Sequence, residues 1–137
     1  MTDITCVIND MKAGKSYQKA FDDTPFLGKK IGEKIAGSHA GLPGYELQIT
    51  GGSDRSGFPM RQEIEGVGRK RMLLKKGDVG SRIRDKGLIL RKTIVGNTVG
   101  AHTAQVNLKI LTYGSKSAGE LLGIQPKEQK AEAPVAK

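Results

Sequence analysis

Eleven basic side chains crowd the stretch from Arg61 to Lys92: Arg61, Arg69, Lys70, Arg71, Lys75, Lys76, Arg82, Arg84, Lys86, Arg91 and Lys92. Four acids, Glu63, Glu65, Asp78 and Asp85, oppose them, so seven of the nine net positive charges fall in 32 of the 137 residues. Residues 1–60 cancel to zero and residues 93–137 add the other two. The chemistry open to such a set is ionic, guanidinium and ammonium groups against phosphate. A charge this local and one-signed exceeds what solubility requires, and self-repulsion destabilises the segment unless a partner neutralises it. It marks a surface for a polyanion, of which nucleic acid is the commonest in cells.

Composition also says how such a surface would read RNA. There is no Phe, Tyr or Trp between Arg61 and Lys92, whereas single-strand readers commonly stack bases on aromatic platforms. The expectation is a grip on the phosphates and ribose of RNA already folded, with shape recognised more than sequence. Glycines at 66, 68, 77, 80 and 87 predict that much of the segment is loop or extension. Just upstream, Gly51-Gly52-Ser53-Asp54-Arg55-Ser56-Gly57-Phe58-Pro59-Met60-Arg61 is a loop whose backbone can approach another closely. Two readings of it stand. The glycines release a strand ending at Thr50 while Asp54 makes a side-chain turn, or the loop presents Arg55 and Arg61 to phosphates while Phe58 packs inward or stacks on a base.

Other candidate chemistry is thin. Gly14-Lys15-Ser16 has the ending of a phosphate-binding loop, but the position five before Gly14, where that loop needs a glycine, is Asn9. The residues that follow read as strand, so the triplet is assigned to a hairpin turn and a nucleotide-dependent enzyme is set aside. His39 and His102 stand alone, and no His, Asp and Glu cluster has metal-ligand spacing. The Asp22-Asp23 pair precedes a helix-start signal, where negative charge suits the helix dipole. Nothing pairs a nucleophile with a base, so no catalytic residue, metal, cofactor or small-molecule substrate is assigned. The single cysteine, Cys6, excludes an intrachain disulfide and reads as a structural thiol on a buried strand face. No apolar stretch approaches the ~20 residues that span a bilayer, and the start of the chain lacks the basic region of a secretory signal. The expectation is a soluble, cytoplasmic chain with no membrane partner.

The elements that must carry these residues are mostly strands. Ile4–Asn9 and Ser16–Phe21 flank Asp10–Lys15 as a hairpin with a longer loop. Thr24-Pro25-Phe26-Leu27-Gly28 resembles one helical turn, capped by Thr, begun by Pro and stopped by Gly. Ile31–Ile35 reads as a bend, Tyr45–Thr50 as an alternating strand, and Arg71–Leu74 and Leu88–Val95 as weaker strands. Ala104–Tyr113 alternates best, with Ala104, Val106, Leu108 and Ile110 on one face. Ser117-Ala118-Gly119-Glu120 has capping-box spacing ahead of a short helix ended by Gly123. Nineteen glycines and short strands predict a mostly β, small barrel-like domain over residues 1–123 with one or two short helices and basic extensions. Residues 124–137, rich in Lys, Glu, Ala and Pro, read as a disordered tail.

Several of these segments together resemble a family. Gly14-Lys15-Ser16-Tyr17-Gln18, Ile31-Gly32, Gly41-Leu42-Pro43-Gly44-Tyr45, the loop from Thr50 to Arg61, Gly68-Arg69-Lys70-Arg71 and Arg91-Lys92-Thr93-Ile94-Val95-Gly96-Asn97 are similar to small-subunit ribosomal protein six of the eukaryotic type. That family is archaeal and eukaryotic, and unrelated to the bacterial protein of the same number. The likeness covers residues 3–123, and its most specific part runs from the Gly-Gly-Ser-Asp loop through Phe58-Pro59-Met60. It implies a barrel-like domain on small-subunit ribosomal RNA, among neighbouring ribosomal proteins, with no catalytic role. It also implies RNA contacts at Arg55 and Arg61, then Arg69, Lys70, Arg71, Lys75, Lys76, Arg82, Arg84, Lys86, Arg91 and Lys92. Eukaryotic members continue into a basic helix and a serine-rich, kinase-regulated tail. Here Gln125–Pro134 has neither serine nor arginine, so that regulation is not carried over and the short form looks archaeal. A free RNA-binding regulator acting off the ribosome is the alternative. On the ribosomal reading, changing Arg69, Lys70 and Arg71 to alanine is expected to flatten the salt dependence of RNA binding and weaken assembly without unfolding the domain.

Overall fold

The computed structural model describes residues 3–22 and 24–123. In β1 (Asp3–Asp10) every second side chain, Ile4, Cys6, Ile8 and Asp10, is buried, as period-two alternation requires of a strand with one covered face. β2 (Lys15–Asp22) returns antiparallel, with Asp10 opposite Lys15 and Asp3 opposite Asp22. Asp10 holds the turn: its Oδ1 accepts the amides of Lys12 and Ala13 at 3.0 and 3.1 Å. This is the hairpin that the sequence predicts, and Lys15-Ser16 opens its second strand.

The chain then makes turns, not a helix, over 24–28, where the Phe26 carbonyl accepts the Lys29 amide at 3.1 Å and the Phe26 ring is fully buried. The bend read at 31–35 delivers a short strand, β3 (Lys34–Ala36), followed by one 3-10 turn (Gly37–Ala40). β4 (Glu46–Asp54), β5 (Arg69–Leu74), β6 (Leu90–Val95) and β7 (Thr103–Thr112) follow, and α1 (Ala118–Leu121) comes last. Ser117 stands at the N-cap of α1 but its side chain makes no capping bond, so the expected capping box is not formed. The tail assigned to 124–137 lies outside the described residues.

Five strands form one mixed sheet in the order β2-β1-β7-β4-β3, and β5 and β6 form a separate two-stranded ribbon. Only β1 and β7 run parallel, with Thr5 opposite Gln105 and Asn9 opposite Lys109. The fold is mostly β with a single short helix among the described residues, as expected. The ladder is open at β2 and β3, and the connections help the strands to enclose the core. Phe26, Leu42, Met60, Val99 and Leu122 from the connections join Ile8, Leu47, Ile49, Val106 and Leu108 from the strands in one core.

β4 runs farther than its glycines suggest. It passes through Gly51 and Gly52 to Asp54, with register shifts against β7 after Ile49 and after Ser53. A Cβ at Gly52 would collide with the Gln105 carbonyl oxygen of β7, so glycine here permits a close approach and does not end the strand. The extension carries the strand to Asp54, where the basic ribbon is attached.

Candidate nucleic-acid interface

The ribbon pairs Arg69 with Val95, Arg71 with Thr93 and Leu73 with Arg91, and between these Lys70 with Ile94, Met72 with Lys92 and Leu74 with Leu90. Successive side chains point to opposite faces, so both faces carry cations. Asp78 shapes the connection at 75–89: its Oδ2 accepts the Lys75 amide at 3.0 Å and its carbonyl the Ser81 amide at 3.0 Å. Leu74, Ile83 and Ile94 are buried but lie outside the main core cluster. Gly80, at φ 84°, brings the connection back toward the body, since a Cβ there would stand 2.7 Å from Pro59 Cγ and 3.7 Å from Ile94 Cγ2.

A two-stranded ribbon is marginal by itself, and its attachment explains why it stands. The Asp54 side chain is 1% exposed, and its Oδ1 accepts the amides of Ser56 at 3.0 Å and Phe58 at 2.8 Å. Its Oδ2 accepts Arg69 Nε at 2.6 Å, while Arg69 Nη2 donates to Ser56 Oγ at 2.8 Å. The Arg69 guanidinium also lies 5.1 Å from the Phe58 ring centroid, within cation–π range. Burial pushes the Asp54 carboxyl up, but the Phe58 amide, the Arg69 guanidinium and the Ser56 amide outweigh it and hold the carboxyl below its ordinary value. The next residues stitch the two sheets together. The Met60 amide donates to the Gly52 carbonyl of β4 at 2.9 Å. On the other side, the Val95 amide of β6 donates to the Pro59 carbonyl at 2.9 Å and the Arg61 amide to the Val95 carbonyl at 3.0 Å.

Asp54 therefore makes the side-chain turn that one reading of the loop gives it, and Phe58 is half-buried against the core. The twelve basic residues singled out from the sequence fall into two groups. Arg61 is turned in: its side chain is 13% exposed, its Nη2 pairs with Glu63 at 2.8 Å, and its Nη1 is buried with no partner. Arg69 is engaged by Asp54. Arg55, Lys70, Arg71, Lys75, Lys76, Arg82, Arg84, Lys86, Arg91 and Lys92 are all exposed, and among the described residues none of these enters an ion pair. The Asp54–Arg69 bond is what reading the sequence missed. Its one signal is that the loop's only acid precedes a run of cations, and 15 residues separate the partners.

Among the described residues no group of His, Cys, Asp and Glu is placed to hold a metal, and no helix is long and apolar enough to cross a membrane. Comparison with known proteins adds the family. The model described as Ribosomal protein S6e matches residues 4–123. The small ribosomal subunit protein eS6 of Methanocaldococcus jannaschii is 47% identical over 124 residues, covering 90% of this chain and 94% of that protein. The proteins of the same description from Methanocella arvoryzae and Nanoarchaeum equitans are 42% and 44% identical. They cover 96% and 86% of this chain, and 92% and 88% of their own lengths. The family match spans the strands, the glycine-rich loop and the ribbon alike, and the chain belongs to the ribosomal protein S6e family.

Proposed function

We propose that the protein is a structural constituent of the small ribosomal subunit, in cytoplasmic ribosomes, that binds folded ribosomal RNA through the β5–β6 ribbon. The observation that carries this is the ten exposed cations on the ribbon, its connection and the neighbouring loop, none of which is ion-paired among the described residues. Family membership and the printed description of the relatives as small ribosomal subunit proteins support it. The action is electrostatic and no catalytic step is involved. Cations neutralise phosphates where RNA helices crowd, and each one adds roughly 0.7 to 0.9 to the slope of log affinity against log salt. Neighbouring ribosomal proteins are the other partners.

The test is sucrose-gradient sedimentation of native lysate, repeated after a high-salt wash, with the chain quantified by mass spectrometry. About one copy per small subunit that survives moderate salt is expected of an integral component of a surface this cationic. Recovery at the top of the gradient would instead favour a free regulator that uses the same ribbon on another structured RNA.

A further inference from the structure

The connection between β5 and β6 folds back toward the glycine-rich loop and leaves a cleft of about 580 Å³ between them. That volume lies within the ~300–1,000 Å³ of sites that take small molecules and cofactors. Phe58 and Pro59 supply flat apolar surface, Arg82 and Lys92 supply charge, and Ser81 and Thr93 supply hydroxyls. No other part of the basic surface combines these, because the ribbon and its connection contain no aromatic residue. Phe58 comes from outside that segment and is brought to it by the Asp54–Arg69 junction. Arg69 lies over the Phe58 ring but does not line the cleft, so the ring is braced without filling the space. Gly80 also lines the cleft, packed close to Pro59, where its positive φ and that closeness exclude a side chain.

An apolar ring, a pair of cations and a pair of hydroxyls match the three parts of one nucleotide. Bases stack on aromatic side chains, ribose hydroxyls bond to Ser and Thr, and phosphates pair with Arg and Lys. In a continuous RNA helix the base faces are stacked on one another, so an occupant that stacks on Phe58 must come from a loop or bulge. We propose that this cleft takes one unstacked nucleotide of the RNA that the ribbon binds, with its base against Phe58 and Pro59 and its phosphate between Arg82 and Lys92. The inference rests on the RNA reading of the ribbon.

The full chain, labelled with nitrogen-15, is titrated with AMP and, in separate arms, with adenosine and with inorganic phosphate. AMP is expected to move the amides of Gly57, Phe58, Gly80, Ser81, Arg82 and Thr93. Phe58→Leu, which keeps an apolar side chain against the core, should weaken AMP about tenfold and leave phosphate binding unchanged. If AMP and phosphate produce the same shifts, and Phe58→Leu affects neither, the cleft holds only an anion and the proposal fails. Binding of small-subunit ribosomal RNA is measured on the same preparation. RNA binding without cleft shifts overturns the nucleotide site alone, and loss of RNA binding overturns the ribbon reading with it.

Discussion

The five-stranded sheet and the β5–β6 ribbon use the same hydrogen-bonded pairing but keep their shape by different means. β7 buries Thr103, Val106, Leu108 and Ile110, whereas β5 buries only Leu74. The sheet rests on a continuous apolar core to which strands and connections both contribute. The ribbon rests on a few buried side chains outside that core, on the Asp54–Arg69 bond, and on backbone bonds through Pro59, Met60 and Arg61. Like charges repel, so a surface this cationic cannot be the part that stabilises the fold. The sheet supplies the folding free energy, the ribbon displays the charge, and the residues at the joint belong to both.

The sheet is most sensitive in its core. Leu108→Ala should cost about 2–5 kcal/mol by the loss of buried apolar volume, read as a lowered urea midpoint. Sheet and ribbon should be lost in one transition, since the ribbon does not stand alone. A ribbon that survived loss of the sheet would show that it does not depend on the sheet.

At the joint the expected effect is smaller but double. Asp54→Ala leaves the Ser56 and Phe58 amides and the Arg69 guanidinium without their acceptor, a cost of about 2–3 kcal/mol. Arg69 is about half exposed, so solvent screens its share. RNA affinity should fall as well, because the ribbon loses its fixed angle. The carboxyl also sets a pH dependence. Its folded value lies below the ordinary one, so the stability it contributes is fully present above about pH 4 and is lost as pH falls through the depressed value. Asp54→Asn should remove this contribution, and urea midpoints at about pH 7 and about pH 3 would show whether it does.

On the ribbon, stability and binding should separate. Replacing Lys70, Arg71 and Arg91 with alanine should change stability by no more than about 0.5 kcal/mol per site. The same variant should lower the slope of log affinity against log salt by about 2 to 3. An unchanged slope would remove those three from the interface. Arg69 is left out of this set because it anchors the ribbon, and a variant including it would mix the two effects. The smallest expected signal comes from Cys6, fully buried with its thiol pushed up to about 12 by burial. It should not react with a thiol reagent until the protein unfolds, and rapid native labelling would show that the sheet is looser than its packing implies.

Strands with one covered face were legible in the sequence because alternation records which side is buried. β1 and β7 differ from their expected limits by one residue at either end. The Gly51-Gly52 run misleads because a glycine that ends a strand and one that permits a close approach look alike until β7 is seen beside it. The basic segment was visible from composition, but composition treats Arg61 and Arg69 as equal to Arg71 and Arg91. Their difference lies in Glu63 and Asp54. The Asp54 contact is tertiary, and no local pattern encodes it. The aromatic surface near the charge was hidden for the same reason, since Phe58 precedes the basic segment and reaches it only through the fold.

The order β2-β1-β7-β4-β3 has a consequence for synthesis of the chain. The strand at the centre of the sheet, β7, is the last one made, and it separates β1 from β4. Until Thr103–Thr112 has emerged, the early strands can form only two separate hairpins, β1 with β2 and β3 with β4, each with an uncovered apolar face. Non-local pairing of this kind is slow and leaves partly made chains prone to aggregate. A nascent chain halted before Thr103 therefore has its entire cationic ribbon but no sheet to hold it, and depends on whatever shields it until the last strand is inserted.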